Sequence, residues 1–450
     1  MRPANTGSMS ATVALNPTHD PHRRSWVESA NDGAADFPLQ NLPYGVFQTS
    51  TQGSAHIGTA IGDQILDLAA AAQAGLLPDS VASACRQPVL NDLMSLGAQA
   101  WSELRARLSE LLDAERCPAG SKRSSVLGCL VPMHDAQMLL PARIGDYTDF
   151  YASSFHATNV GAMFRPENPL LPNYKWVPIG YHGRGSSLVV SGTPIRRPSG
   201  QLKPADAPAP VFAACRNLDY EVELAAFVGP GNSLGSTIPL ARAPQQIFGV
   251  SLLNDWSARD IQSWEYQPLG PFLAKNFATT LSPWVVTLDA LAPFRVPAFA
   301  RPAGDPAPLP YLADANDQSS GGFAITLEAF LLTPKMRAAG QSPHRISRGN
   351  FADMYWTLAQ LLTHHASNGC NLTPGDVLGS GTVSGPEKSS RGCLLELTSR
   401  GTDPLNLPDG EIRSFLLDGD EVVLRGFAER PGARRIGLGE CRGLVLPANT

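Results

Sequence analysis

The sequence predicts a mainly β protein with some α-helix, divided into a small first unit and a large second one. Its 41 glycines and 39 prolines follow no repeat, which is typical of many short strands and turns. Several segments alternate apolar and polar residues with the period of a strand. No regular alternation of strands and helices occurs, which argues against a doubly wound sheet. A chain of 450 residues is long enough for such a two-unit arrangement.

The first 35 residues have no periodicity and are rich in Ala, Asn, Thr and Pro, so we predict a disordered N-terminal extension over 1–35. The first folded unit, 36–140, begins with strands at 43–47 and 57–68. The turn-prone pair Gly62-Asp63 divides the second of these segments into a hairpin. A helix is expected over 90–112, where leucines recur at helical spacing. This unit has no cluster of catalytic residue types.

The second unit, 141–450, opens with a polar stretch over 145–165. Its periodicity is neither 2 nor 3.6, so we expect a loop that carries a functional site on a β scaffold. The helix predicted at 254–264 could be capped by Asp255 or Ser257. The further predicted elements are strands at 218–229, 247–253, 325–332, 393–401 and 421–427, and a helix at 350–369.

Composition and charge exclude several classes of partner. The hydrophobic content of 43% fits a soluble globular enzyme, and no apolar run approaches the ~20 residues of a membrane span. The net charge of −5 and the lack of a basic stripe argue against nucleic acid. Seven scattered cysteines without a C-x-x-C pair, and no apolar secretory leader, predict reduced thiols and a cytoplasmic location.

Two glutamates, Glu221 and Glu223, are two residues apart on a predicted strand and therefore point the same way. Neighbouring carboxylates repel, and burying them is costly unless a cation lies between them. Alone, the pair is more typical of a solvated strand face. The strand is otherwise apolar, however, and Asp149 and Asp255 supply further acids. Four oxygen donors without clustered Cys or His favour Ca²⁺ or Mg²⁺ over zinc.

His156, seven residues after Asp149, is a candidate general base. A lone histidine is more often a structural hydrogen-bonding group, and a base needs an orienting carboxylate on its second ring nitrogen. The sequence alone does not choose that carboxylate. Glu396 is a candidate because it alternates against an apolar face in a predicted strand, and the alternative is a surface glutamate.

Arg259, Gln262 and Lys275 form a polar set after the predicted strand at 247–253. Arg259 and Gln262 are three apart and share one helix face, and Lys275 follows an apolar tripeptide. Such donors could hold an oxyanion or a substrate carboxylate. A solvated helix face with a surface lysine is an equally good interpretation of these residues alone.

Three other motifs carry little weight. The glycine-rich segment 180–187 has the spacing of neither a dinucleotide nor a phosphate loop. His364 and His365 are adjacent on a predicted helix and cannot share a face, which argues against a zinc pair. The G-x-S-x-G motif of α/β hydrolases is missing.

Five long segments closely resemble the fumarylacetoacetase (fumarylacetoacetate hydrolase) family. They are DYTDFYASSFHATNVGAMFR, VPIGYHGRGSSLVVSGTPIRRPSGQ, LDYEVELAAFVGPGN, LLNDWSARDIQSWEYQPLGPFLAKNFATTLSPWVV and LTPGDVLGSGTVSG. The resemblance extends from about Phe37 to Leu446. It implies a small N-terminal SH3-like β-barrel domain, a large C-terminal β-roll or β-sandwich catalytic domain of the fumarylacetoacetase type, and a homodimer.

The resemblance also implies an activity and residue roles. The reaction would be hydrolysis of a carbon–carbon bond of the small dicarboxylate 4-fumarylacetoacetate to fumarate and acetoacetate, the last step of tyrosine and phenylalanine breakdown. Calcium or magnesium would be bound by Asp149, Glu221, Glu223 and Asp255, with Lys275 and Thr279 beside them. His156, oriented by Glu396, would activate water, and Arg259, Gln262 and Lys275 would stabilise the oxyanion and the leaving carbanion. The implied substrate contacts are Tyr151, Arg165, Tyr181, Arg259, Gln262, Tyr266 and Thr382.

Two alternatives remain at this point. A related acylpyruvate hydrolase or 2-oxoacid decarboxylase or hydratase would share the chemistry, but such proteins usually lack the N-terminal domain. A non-catalytic divalent-ion-binding module would keep the four acids. It would have no reason to keep His156, Glu396 and Lys275 together.

Overall fold

The computed structural model describes residues 15–50, 53–204 and 206–449. The described residues before 141 form one antiparallel five-stranded sheet and five α-helices. These elements are β1 Tyr44–Thr49, β2 His56–Ile61, β3 Gln64–Asp67, α1 Leu68–Gln73, α2 Asp79–Cys85, α3 Asn91–Ser95, α4 Ala98–Leu112, α5 Ser121–Leu127, β4 Leu130–Pro132 and β5 Ala136–Leu139.

The described residues after 141 are mainly β, with six α-helices. Its elements are β6 Tyr147–Phe150, α6 Ser154–Phe164, β7 Gly180–His182, β8 Leu188–Val190, β9 Ile195–Arg196, β10 Ser199–Leu202, β11 Val211–Ala214, β12 Leu218–Asp219, β13 Val222–Val228, β14 Ile247–Asp255, β15 Ser257–Ala258, α7 Arg259–Glu265, β16 Thr279–Leu281, β17 Val286–Thr287, β18 Arg295–Val296, α8 Ala315–Ser320, β19 Gly322–Phe323, β20 Thr326–Leu332, α9 Pro334–Ala338, β21 His344–Asn350, α10 Leu358–Ala366, β22 Val377–Gly379, α11 Leu394–Leu397, β23 Leu405–Asn406, β24 Ile412–Arg413, β25 Glu421–Ala428 and β26 Ile436–Leu446. This small β unit followed by a large, mainly β unit confirms the predicted fold class.

The small sheet has the strand order β4-β3-β2-β1-β5. Gly62, with φ of +58°, makes the predicted tight turn between β2 and β3, a backbone conformation that glycine adopts without strain. The helix expected over 90–112 is present as α3 and α4. Gly97, with φ of +86°, interrupts it.

Residues 15–35 differ from the predicted disordered extension, while residues 1–14 of that prediction lie outside the described residues. The Trp26 indole donates to the backbone oxygen of Leu111 at 2.9 Å, and Val27 and Ala30 are buried in the core of the small unit. The polar composition of the segment concealed these anchors. These apolar side chains, together with the Arg23–Asp113 ion pair at 2.6 Å, hold the segment against α4 and the residue that follows it.

Two larger sheets build the second unit. One runs β7-β6-β22-β13-β14-β16-β8, with β17 also paired to β14, and the other runs β21-β20-β25-β26-β9. Leu224 and Ala226 of β13 pack in a core with Leu327 of the second sheet, whereas Ala225 and Phe227 pack against the small unit. The predicted alternation along β13 is therefore correct. Both faces of the strand are covered, so Glu223 and the adjoining Glu221 are buried rather than solvated.

Three local predictions near the site are wrong. The stretch 145–165 is not a loop but contains β6 and α6, and the Ser153 hydroxyl caps α6 by accepting from the His156 amide. Glu396 lies in the single helical turn α11, not in a strand. Neither Asp255 nor Ser257 caps α7, which starts without a side-chain cap because β14 and β15 hold both residues in sheet structure. The helix expected over 350–369 is divided into a 3-10 turn, Phe351–Asp353, and the shorter helix α10.

Candidate active site

A cleft of about 520 Å³ opens where β6, β7 and α7 meet. Every residue proposed above as a substrate contact lines it, and so do several of the catalytic and metal candidates. The lining residues from those predictions are Asp149, Tyr151, His156, Arg165, Tyr181, Glu221, Arg259, Gln262, Tyr266, Lys275 and Thr382. The structure thus brings the candidates together, while their individual roles remain predictions.

The four acids predicted as metal ligands form one buried carboxylate cluster, Asp149, Glu221, Glu223 and Asp255. One oxygen from each lies within 4.8 Å of the others. Strand pairing produces this cluster. Gly379 of β22 is the register partner of both Asp149 and Ala225, so β22 lies between β6, which carries Asp149, and β13, which carries Glu223. Asp255 ends β14, the strand on the other side of β13.

The carboxylate cluster is incompletely satisfied by the protein. Asp149 Oδ1 and Glu223 Oε1 are buried and accept no hydrogen bond from any described residue. Burial, and then the neighbouring carboxylates, hold the pKa values of Asp149 and Glu223 well above those of ordinary acids. Buried, unpaired carboxylate oxygens in this arrangement fit a hard divalent cation.

Space at the cluster depends on Gly379. A Cβ atom there would lie 2.5 Å from Asp149 Oδ1 and 3.1 Å from Glu223 Oε2. Both distances are shorter than ordinary carbon–oxygen contacts, so a larger residue would displace the two carboxylates.

Lys275 contacts the cluster from one side. Its Nζ lies 2.5 Å from Glu221 Oε2 and 2.6 Å from Asp255 Oδ2. Burial opposes a charge on Lys275, but Asp255 and Glu221 raise its pKa above the ordinary value, so it is a cation. Burial likewise opposes a charge on Glu221, but Lys275 and Arg259 hold its pKa well below the ordinary value. Thr279 donates to Asp255 Oδ1 at 3.2 Å.

His156 and Glu396 form a buried hydrogen-bonded pair, which we call the base dyad after the role predicted for it. His156 Nδ1 lies 2.6 Å from Glu396 Oε2, and both side chains are buried. Burial would raise the pKa of Glu396, but His156 and several hydrogen bonds lower it to about 2. An ionised Glu396 fixes the proton on Nδ1 and leaves Nε2 free to accept another. Nε2 lies 4.0 Å from Glu221 Oε1, so it faces the carboxylate cluster.

Arg259 connects several parts of the site. Its Nε donates to Asp219 Oδ2 at 2.9 Å, and its Nη2 forms an ion pair with Glu221 Oε1 at 2.8 Å. Its Nη1 donates to Gln262 Oε1 at 3.2 Å, so the shared helix face predicted for these two residues is correct. Because Arg259 is buried between acids, it is a fixed cation beside the cleft.

Three supporting residues were not found from the sequence. Asn159 and Ser384 each donate to the Glu396 carboxylate at 2.8 Å, and Asp219 accepts from Arg259. Asp219 could have been found from the sequence, because it is a third acid two residues before Glu221 in the same strand-like segment. Asn159 and Ser384 had none, because small polar residues are common everywhere.

Two family models match the chain. "Fumarylacetoacetase N-terminal" matches residues 40–141, and "Fumarylacetoacetate (FAA) hydrolase C-terminal" matches residues 147–446. A fumarylacetoacetase of Bos taurus is 53% identical over 94% of this chain and 99% of its own length. One of Homo sapiens is 52% identical over the same shares. A solved fumarylacetoacetate hydrolase of Exiguobacterium antarcticum is 17% identical, covers 91% of this chain and 100% of its own, and superposes with a TM-score of 0.49. The chain belongs to the fumarylacetoacetase family.

Proposed function

We propose that this member of the fumarylacetoacetase family hydrolyses 4-fumarylacetoacetate to fumarate and acetoacetate, the last step of tyrosine and phenylalanine breakdown. The observation that carries the proposal is that the base dyad and the carboxylate cluster meet at one cleft. The fumarylacetoacetases of cattle and human, about half identical over nearly the whole chain, support the same substrate.

The carboxylate cluster would hold a divalent cation, which we propose to be Ca²⁺ or Mg²⁺ because all four donors are oxygens. Lys275 and Arg259 offset at most two of the four negative charges, and a divalent ion would offset the rest. When bound, such an ion supplies Lewis-acid polarisation of the β-diketone oxygens.

His156 is the proposed general base. Its Nε2 takes a proton from a water molecule in the cleft as the water oxygen bonds to the carbonyl carbon next to the fumaryl arm. Glu396, bonded to Nδ1 at 2.6 Å, stabilises the imidazolium that results. Because the dyad is buried and rigidly bonded, it is oriented before substrate arrives.

Arg259, Gln262 and Lys275 are proposed to stabilise the negative charge that develops on the substrate oxygens. They line the cleft and are held by bonds to other protein groups, so they need not reorganise during the reaction. Collapse of the tetrahedral oxyanion breaks the carbon–carbon bond. The leaving carbon of acetoacetate then takes the proton held by His156.

The two carboxylates of the substrate need donors at both ends of the cleft. Arg165 Nε and Thr382 Oγ1 are buried polar atoms of the cleft wall with no partner among the described residues. Tyr151 and Tyr266 add hydroxyl groups to the same wall, while Tyr181 donates to Asp255 at 2.9 Å. Orphaned donors around a cleft support recognition of an anionic substrate.

The decisive experiment follows the loss of fumarylacetoacetate absorbance with purified protein. We expect turnover with Mg²⁺ or Ca²⁺ and loss of turnover after chelation, restored by adding the ion back. A protein that shows no turnover with either ion would disprove the proposal. Acylpyruvates, the substrates of related hydrolases, are tested in parallel to establish substrate preference. No feature of this site favours an acylpyruvate over fumarylacetoacetate.

We also propose a homodimer and a cytoplasmic location. Leu269 and Phe272, beside the cleft, are 95% and 67% exposed, and exposed apolar side chains of this size favour an interface between chains. All seven cysteines are free thiols, which supports a reducing compartment. Among the described residues no helix is long and apolar enough to cross a bilayer. Light scattering of the purified protein tests the dimer.

We likewise propose that the chain has two domains, residues 36–140 and residues 141–450. The two matched family regions, 40–141 and 147–446, lie close to these limits and support them.

A further inference from the structure

Asp219 is a fully buried acid at the end of β12, outside the carboxylate cluster and outside the base dyad. Its carboxylate accepts four hydrogen bonds, which uses the four lone-pair positions of an ionised acid. The donors are Arg259 Nε at 2.9 Å, Leu394 N at 2.8 Å, Leu395 N at 2.9 Å and the amide of Tyr220 at 2.9 Å.

These four bonds connect two parts of the proposed catalytic machinery. On one side Asp219 holds Arg259, the guanidinium that lines the cleft and contacts Glu221. On the other side it accepts from the first two amides of α11, the single turn that carries Glu396. So short a helix has little stability of its own, and its orientation depends on such tertiary bonds.

We propose that Asp219 is a positioning residue that fixes the His156–Glu396 dyad and Arg259 relative to each other. This inference rests on the proposed hydrolysis. The base delivers the water and Arg259 receives the developing charge, so a change in their separation costs rate even when each side chain is intact. Asp219 itself does not line the cleft.

The test is Asp219→Asn, assayed at saturating metal. The side-chain NH2 of asparagine would face an N–H donor, either Arg259 Nε–H or a backbone amide of α11. Two donors cannot form a hydrogen bond, so residue 219 would lose its bond to Arg259 or to α11. We expect kcat to fall on the order of 100-fold, with KM changed much less.

Asp420→Asn is the matched control. Asp420 is also fully buried, accepts from Arg413 Nε and Nη2 at 2.9 and 3.1 Å, and accepts from a backbone amide, that of Leu417, at 2.8 Å. None of these residues lines the cleft. Asp420→Asn should therefore destabilise the fold to a similar degree and leave kcat per folded molecule within a few-fold of wild type.

A double-mutant cycle adds a readout that a purely structural role would not move. Asp219→Asn should reduce kcat much less in a Glu396→Gln background than in the wild type, because the two residues act through one arrangement. Asp219→Ser, which keeps an acceptor oxygen but cannot span both sides, provides a second variant and should also lower kcat selectively.

Several results would overturn the inference. They are a kcat loss no greater than that of Asp420→Asn, an effect confined to KM, or full additivity with Glu396→Gln. A crystal structure of either Asp219 variant with Arg259 and α11 both unmoved would do the same. If the wild type itself has no hydrolase activity, the proposed function fails first, and the variant structures then decide whether Asp219 holds the two elements.

Discussion

Glu396 and Glu223 are both fully buried glutamates beside one cleft, but their surroundings are opposite. Glu396 accepts hydrogen bonds from His156, Asn159, Ser384 and Cys393, and its pKa falls to about 2. Glu223 lies among other acids. Its Oε2 accepts from the Gly381 amide while Oε1 has no partner among the described residues, and its pKa is raised by burial and its neighbours.

The difference shows in which half of the site the protein's own groups satisfy the buried carboxylates. In the base dyad, Glu396 accepts hydrogen bonds from protein donors and carries its charge at neutral pH without any added group. The carboxylate cluster has more acidic groups than the neighbouring protein cations can offset, so we expect a bound divalent ion to stabilise it. Substitutions in the two regions should therefore change the free energy of unfolding by different amounts and in opposite directions.

The largest effect is expected from His156→Ala. Removing the base should lower kcat by roughly 10²- to 10⁴-fold, because no other described group occupies the position of Nε2. Metal affinity, measured by calorimetry, should be unchanged since His156 is not in the carboxylate cluster. An active variant would show that the base assignment is wrong.

The two glutamates provide the sharpest contrast in stability. In metal-free protein at pH 7, Glu396→Gln should lower the free energy of unfolding by about 1–3 kcal/mol, because it removes a well-bonded charge. Glu223→Gln should raise it by about 1 kcal/mol, because it removes a charge that burial disfavours. Chemical denaturation of both variants measures the two effects.

The pH dependence of these effects follows from the direction of each pKa shift. The pKa of Glu396 is lowered from 4.5 to about 2, so its stabilising contribution is present above pH 4.5 and is lost as the pH falls toward 2. The pKa of Glu223 is raised from 4.5, so its unfavourable contribution grows as the pH rises above 4.5. Equal signs for the two variants at pH 7 would contradict the comparison.

Gly379→Ala should affect mainly the carboxylate cluster. The new methyl group would crowd Asp149 and Glu223, and we expect divalent-ion affinity to fall roughly 10- to 100-fold. Excess ion should restore part of the activity, which would not happen if the dyad were affected. Gly33→Ala is the control, because a Cβ atom at Gly33 would contact nothing within 4 Å.

The smallest effect is expected from Asn159→Ala, which removes one of the donors to Glu396. The lost hydrogen bond is worth about 1 kcal/mol. If the activation free energy rises by that amount, kcat decreases several-fold, and ion affinity should be unchanged. Thr158→Ala, an exposed neighbour on α6 whose hydroxyl bonds only within the helix, should have no effect on kcat. Steady-state kinetics with an ion titration distinguish the two variants.

The sequence by itself determined residue types, strand periodicity and the two-unit organisation. The alternation around Glu221 and Glu223 placed both on one side of the chain where β13 begins, and the resemblance named each member of the carboxylate cluster and the dyad. Local patterns failed where tertiary bonds override propensity. The turn α11 around Glu396 looks like a strand in sequence because its apolar residues are adjacent. It is helical because Asp219, far away in the chain, binds its first two amides.

Only the tertiary structure decided that these residues meet. Asp149, Glu223 and Asp255 lie on strands whose order in the sheet does not follow the order in the chain, and pairing between distant strands is not encoded in a local pattern. Burial of the cluster likewise required the small unit to cover the second face of β13. A carboxylate in water needs no partner, but one enclosed between two packed layers needs a cation. That enclosure is why the same acids form a candidate metal centre rather than a solvated strand face.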